Sequence, residues 1–513
     1  MVLTMAALCF AGAARADTPE PLPIARDAAQ LFVDDFLIAT QTDLRRTLHQ
    51  PKKDNGGSVP VIAMEDEFGS TPATLEANGT ILFDPKLKKW VMFALGFASS
   101  YEGPSGDRVR LYRFTSPDAM NWIKGDDGTP QRIAVDLHDS QSGASATNID
   151  LFSCMYDRSD DDYPYKGWLY FANWGEGREG TYYVRSRDGV TWQRGPQVLE
   201  AVSHTLQQDG HTMRGTGDVT TFYHDEKANR FLGCLRYMAT ANVQNQNRLR
   251  SRGFLFIDRL DEPIDLTQIE RLDLVPAAAE RNGDQPFDEY YSSTGWRYGG
   301  LWLGGLRIWH GAGDYPYSAD GCAYLKLVSS RDGLHWQKVP FENEAGHDEV
   351  FIPNGIEGGN DGRNDGGYMT EFSNPPLRIG DELIYYYGAS SWGKNQARTV
   401  RVTGGGIFRA RLRPDGFVSV DGGSLTTRPL KFDGAELLVN AAGPVDVAVL
   451  DPDGNLLAQS SIHGDSLRHN IRFGDGRTLR DVAPDGVARL KFDIRPGGRL
   501  YCFTIAAPHS SNP

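Results

Sequence analysis

The chain is poor in cysteine, with 5 in 513 residues, and Cys154, Cys234, Cys322 and Cys502 are scattered singly through it. That scatter excludes zinc ribbons and redox dithiols, which need ligands a few residues apart. These four are read as buried thiols packing as small apolar groups. Basic tracts are also missing. Lys and Arg number 53 against 67 Asp and Glu, for a formal charge of −14. That balance argues against a nucleic-acid partner, which needs a net basic face to displace counterions. Beyond the N-terminus no run approaches the ~18 apolar residues of a membrane span. No Ser-centred nucleophile elbow, zinc-binding His pair on a helix, or phosphate-cradling glycine loop followed by Lys is found. Gly404-Gly405-Gly406 precedes a strand pattern and reads as a turn.

What is abundant is turn-forming and aromatic: 57 Gly, 28 Pro, 24 Phe, 21 Tyr and 10 Trp. This composition predicts many short strands joined by tight turns. The apolar start, with Ala14-Arg15-Ala16 at the cleavage position, predicts a signal peptide over residues 1–16. Export to the periplasm or the extracellular space follows. Residues 17–55 form a lead containing one strand, Leu31-Phe32-Val33-Asp34-Asp35-Phe36-Leu37-Ile38.

A repeat organises the next stretch. Ser116-Pro117-Asp118-Ala119-Met120-Asn121-Trp122 returns as Ser186-Arg187-Asp188-Gly189-Val190-Thr191-Trp192, and again as Ser330-Arg331-Asp332-Gly333-Leu334-His335-Trp336. The intervals are 70 and 144 residues, one and two periods. Degenerate copies fall at Ile257-Asp258-Arg259 and at Arg413-Pro414-Asp415-Gly416-Phe417. Asp-Gly between alternating segments is a hairpin signal, because Gly takes positive φ and Asp accepts local backbone N–H groups. Each period holds three or four strand-like runs, the content of one propeller blade. The expected fold is all-β: a five-bladed β-propeller over residues 56–424, followed by a β-sandwich over residues 425–509. A pair of sandwiches is the alternative, but it leaves the period unexplained.

In a propeller the Asp-Gly turns and the turns after each innermost strand share one face. The acidic run at residues 157–162 and His224-Asp225-Glu226 fall there and are read as solvated turn residues. The opposite face is formed by the starts of the inner strands and the loops after the second strands. Acids recur at those starts: Glu76, Asp150, Asp218, Asp288 with Glu289, and Asp365 with Glu371 nearby. Carboxylates from separate blades converge there and can divide acid and base roles, since crowding raises the pKa of one. Asp150 and Asp218 are expected in the reacting pair, with Glu76 or Glu289 as proton donor. Asp288, Asp365 and Glu371 are expected to bind substrate. Trp174, Trp309 and Trp392 offer rings to a sugar face, while His211, Arg214 and His310 offer hydrogen bonds to hydroxyls. No cofactor or metal cluster is indicated, although a structural cation in the channel is left open. The expected partner is a carbohydrate.

The Ser-x-Asp-Gly-x-x-Trp hairpins, inner-strand acids and C-terminal β-domain resemble the five-bladed propeller glycoside hydrolases of families 32 and 43. The strand at residues 31–38 with His49-Gln50-Pro51, Asp415-Gly416-Phe417-Val418-Ser419 and Leu425-Thr426-Thr427-Arg428-Pro429-Leu430 resembles bacterial family-32-like proteins. The resemblance implies a glycosidase with working acids in blades one, two and three, here Glu76, Asp150 and Asp218. The Asp-Pro-Asn-Gly, Arg-Asp-Pro and Glu-Cys signatures of invertases are missing, which argues against fructan cleavage. A non-catalytic carbohydrate-binding propeller and a glycan-acting lyase or transferase are the alternatives.

Overall fold

Aspartate side chains build the repeated turns. Asp118 Oδ1 accepts the N–H groups of Met120 and Asn121 at 2.9 and 2.8 Å. Asp188 does the same for Val190 and Thr191, and Asp332 for Leu334 and His335. The following residue is left-handed: Gly189 at φ 71°, Gly333 at φ 86°, and Ala119 at φ 59° in the first copy. Each turn joins the third strand of a sheet to its fourth, as the sequence implied.

The computed structural model describes residues 20–63, 74–97, 109–124, 131–135, 148–172, 179–201, 205–208, 211–214, 216–239, 249–266, 271–273, 288–311, 321–344, 349–391 and 405–508. The expected signal segment lies outside them. The chain divides into two compact units, and the larger comprises residues 29–34 and 46–419.

That larger unit is a five-bladed propeller of antiparallel blades. Blade one runs from Thr74–Glu76 and Ile81–Asp84 through Lys89–Phe97 and Val109–Ser116 to Ile123–Lys124. Blade two is Asn148–Tyr156, Tyr165–Ala172, Gly180–Ser186 and Thr191–Glu200. Blade three has His211–Arg214 and Thr221–Asp225 innermost, then Arg230–Ala239, Leu249–Ile257 and Arg271–Asp273. Blade four is Asp288–Ser293 with Trp296–Tyr298, then Leu301–Gly311, Gly321–Ser330 and Trp336–Lys338. Blade five starts at Thr370–Glu371 and Leu377–Ile379 and continues through Glu382–Ala389 and Gly406–Leu412. Its outer strand comes from before blade one: Lys52–Lys53 and Ile62–Ala63 pair with Gly406–Leu412.

A ring of inner-strand hydroxyls ties neighbouring blades together. Thr80 Oγ1 accepts the Cys154 N–H of blade two at 3.0 Å. Ser153 accepts the Phe222 N–H of blade three at 3.1 Å, and Thr221 donates to the Ser293 carbonyl of blade four at 3.1 Å. Ser292 donates to Glu371 of blade five, whose Ser373 returns to Thr80 at 2.5 Å. The circuit closes after five blades. Apolar side chains fill the spaces between blades; Phe93 of blade one meets Phe152 and Trp192 of blade two edge-on.

Two expectations are corrected. Residues 31–38 are not one strand: pairing stops after Gln30–Leu31, and the strand that follows is Ile38–Leu48. Phe32 and Val33 are buried in the intervening bend, and Asp34 takes both arms of the Arg331 guanidinium at 2.5 and 2.9 Å. Asp225 is not a solvated turn acid; it is buried and paired with Arg297 at 3.0 Å.

The smaller unit, described over residues 20–28, 35–45 and 420–508, is also all-β. Val445–Leu450 pairs with both Leu456–Ile462 and Val487–Ile494, and Glu436–Ala442 lies between Asp465–Ile471 and Arg499–Ala506. Burial alternates along Val445–Leu450 and Val487–Ile494, so each strand packs one face and leaves the other wetter. Cys502 of this unit and Cys154, Cys234 and Cys322 of the propeller are free thiols, and all but the half-buried Cys322 are buried.

Candidate active site

Inner strands kink where the acids sit. Asp150 is followed by Leu151 at φ 29°, and the register with the next strand shifts there. Asp218 is followed by Val219 at φ 60°, a conformation that β-branched residues seldom adopt. A bulge of this kind turns a side chain away from the sheet plane. The Asp150 carboxylate caps its own kink by accepting the Leu151 N–H at 2.8 Å. In blade four the register shift falls one residue later, between Tyr290 and Ser292.

Asp218 forms an ion pair with Arg236 from the second strand of its own blade. Gly217 makes this approach feasible, because a Cβ there would lie 1.8 Å from Arg236 Nη2. Glu289 accepts two bonds on Oε2, from the Arg250 backbone N–H and from Arg250 Nη1, both at 2.9 Å. Its Oε1 has no hydrogen-bond partner among the described residues. The Arg250 guanidinium lies over the rings of Tyr291 at 4.5 Å and Trp309 at 5.8 Å. Arg307, fully buried, lies on Tyr291 at 4.4 Å and pairs with Glu371 at 3.8 Å. Burial alone would lower the Arg250 guanidinium, but Tyr291, Glu289 and Asp218 outweigh it and hold it above its ordinary value. Arg307 is held up against burial in the same way, with Glu371 and Glu76 among its neighbours.

These contacts bring four expected acids together around two arginines that share Tyr291: Asp218 and Glu289 about Arg250, Glu371 and Glu76 about Arg307. Glu76 is half-buried and takes a hydrogen bond from Asn78 Nδ2 at 2.5 Å. Asp150 is half-buried and lies in register with Tyr170, which interacts electrostatically with Asp218.

Other expected residues sit elsewhere. Asp365 has 0% side-chain exposure and is held by Lys53 and by the Tyr387 hydroxyl at 2.9 Å, beside the closing strand of blade five. Glu371, not Asp365, occupies the inner strand of that blade. Asp288 is buried and interacts electrostatically with Cys322. Trp309 is buried against Tyr291 and Arg250, so its ring is a packing surface and not the sugar platform expected. Trp174, Trp392 and the side chains of His211, Arg214 and His310 lie outside the described residues. Among the described residues no group of three His, Cys, Asp or Glu is arranged to hold a metal ion, and no helix is long and apolar enough to cross a membrane.

Sequence reasoning passed over Arg236, Arg250, Arg252 and Arg307. Their signal was partial: Arg307 stands among apolar neighbours, where a charge needs a partner, but Arg250 and Arg252 share one strand and Arg236 shares another with Arg230.

No family model matches the chain, and no curated protein matches it. Solved structures do. A family 43 arabinoxylan arabinofuranohydrolase from Bacillus subtilis in complex with cellotetraose is 12% identical, with a TM-score of 0.38, covering 88% of this chain and 100% of the other. A fructofuranosidase from Schwanniomyces occidentalis complexed with fructose is 11% identical, with a TM-score of 0.38, covering 87% and 96%. A family 117 glycoside hydrolase produced by Zobellia galactanivorans is 10% identical, with a TM-score of 0.37, covering 71% and 89%. The chain is thus similar in structure to five-bladed propeller glycoside hydrolases, at distances where each likeness is one of form.

Proposed function

We propose that the propeller is a glycoside hydrolase acting on a poly- or oligosaccharide, with Glu76, Asp150 and Asp218 as its reacting carboxylates. The observation that carries this reading is how burial sorts the inner-strand acids. Glu76, Asp150 and Asp218 keep accessible surface, whereas Glu289 and Glu371 are buried against Arg250 and Arg307. A proton donor must reach the glycosidic oxygen. Glu289, with 0% side-chain exposure, meets that requirement poorly, and its role becomes that of anchoring Arg250.

Asp218, paired with Arg236, is suited to act as an anion, attacking the anomeric carbon or drawing a proton from water. Glu76, bonded by a neutral amide, gives its proton to the leaving oxygen as the C–O bond breaks. Asp150 supports the positive charge that develops on the sugar ring. Whether configuration is retained follows from carboxyl separation, ~5 Å for attack by the acid itself and ~6.5–9.5 Å when a water intervenes. We further propose that residues 1–16 direct export, and that the smaller unit is a β-sandwich accessory domain.

The test is product release from a panel of plant, algal and microbial polysaccharides. Glu76→Gln, Asp150→Asn and Asp218→Asn should each lower kcat by about 10²–10⁴-fold while sugar binding persists. Wild-type protein that binds glycan and releases nothing would mark a binding propeller, and unsaturated products would mark a lyase.

A further inference from the structure

Arg252, on the third strand of blade three, is fully buried, and among the described residues none of its hydrogen bonds goes to a carboxylate. Its guanidinium donates only to neutral atoms. Nε reaches Ser293 Oγ at 2.9 Å and Nη1 the Tyr291 carbonyl at 3.4 Å. Nη2 reaches the carbonyls of Val219 at 2.7 Å and Cys234 at 3.1 Å. Burial pushes this guanidinium down to about 10. A buried guanidinium bonded only to neutral atoms is costly, and Glu371 offsets only part of that burial, so its presence calls for a return elsewhere.

The return is visible in what it holds. Val219 is the left-handed, β-branched residue that follows Asp218, and such a backbone persists only when its surroundings over-determine it. In blade two the equivalent kink is capped by the acid's own side chain, Asp150. In blade three the Asp218 carboxylate pairs with Arg236, and Arg252 grips the kink through the Val219 carbonyl. The same guanidinium holds the carbonyl of Tyr291, whose ring lies between Arg250 and Arg307.

We propose that Arg252 is a positioning residue: by fixing the Val219 peptide in its left-handed conformation, it aims the Asp218 carboxylate at Arg236 and into the channel. The functional half of this statement rests on Asp218 being a working carboxylate; the structural half does not. Arg252→Met keeps an unbranched apolar stem while removing every donor. In its crystal structure Val219 should leave positive φ and the Asp218–Arg236 pair should open. Turnover should fall about 10²-fold with KM little changed, as expected when a reacting group is displaced by about 1 Å. Adding Val219→Gly, which adopts positive φ without strain, should restore the ion pair and most of the lost kcat. Val219→Ala in the same background should not. A single variant that keeps positive φ and the ion pair overturns the proposal, as does equal behaviour of Gly and Ala at position 219. If Arg252→Met does not fold, recovery of folded protein by Gly but not Ala supports the proposal, and equal yields refute it. Wild-type protein without turnover on any glycan would sink the hydrolase reading while leaving the backbone comparison to decide this one.

Discussion

At the scale of single residues, the room left for a Cβ, more than positive φ itself, separates the positions where glycine is required from those where it is optional. A Cβ on Gly333 would lie 2.8 Å from the Phe256 ring and 3.0 Å from Trp302, in a backbone at φ 86°. Gly333→Ala should therefore cost about 2–4 kcal/mol, from ~1–2 for the left-handed backbone and ~1–3 for the overlap. The matching residue of the first copy is already alanine, buried at φ 59°. Ala119→Gly removes ~1–2 kcal/mol of strain but loses a buried methyl worth ~0.8 and frees the unfolded chain by ~0.5–1, leaving a change near zero. Chemical denaturation of the two variants checks both signs. The inner-strand acids were legible because they recur with the period. The arginines could be noticed as charges within strands, but not matched to their acids, because an ion pair between strands leaves no spacing in the sequence. The hydroxyls at Thr80, Ser153, Thr221, Ser292 and Ser373 were missed for the opposite reason: they recur, but Ser and Thr are too common to stand out.

At the scale of elements, the Asp turns should give the propeller an acid-sensitive seam. Asp332 is held down to about 2 although burial opposes it, chiefly by the N–H groups of His335 and Leu334, and Asp118 and Asp188 are lowered in the same way. The folded value lies below the unfolded one, so the contribution is complete above about pH 4 and is lost as pH falls toward about 2. A variant with Asp118, Asp188 and Asp332 all changed to Ala should melt lower at pH 7. It should also show a shallower fall in melting temperature between pH 5 and pH 2, measured by calorimetry. The hairpins themselves were legible, since Asp-Gly with a trailing Trp is a local signal. The start of blade five was not. Residues 353–369 lengthen the connection into it, so one period of about 72 residues from Asp288 ends near residue 360, ahead of both Asp365 and the true inner strand at Thr370–Glu371.

At the scale of the whole propeller, the closing strand is the feature least visible in sequence. Two pairs of residues, Lys52–Lys53 and Ile62–Ala63, carry no alternation to read, yet they complete blade five. Lys53 joins this seam to Asp365, with side-chain exposures of 8% and 0%. Lys53→Met strands a buried carboxylate and should cost about 3–5 kcal/mol, whereas Lys53→Met with Asp365→Leu should recover most of that. Urea midpoints of the single and double variants settle the comparison. The bond from Arg409 to Asp54 beside this seam spans 355 positions in the chain. During synthesis, then, the earliest part of the propeller to emerge is among the last to find its place. It must wait as an unpaired edge until nearly the whole ring has been translated, and folding speed is set by that long-range closure. Moving the segment so that it directly follows Leu412 would turn the slowest contact into a local antiparallel hairpin.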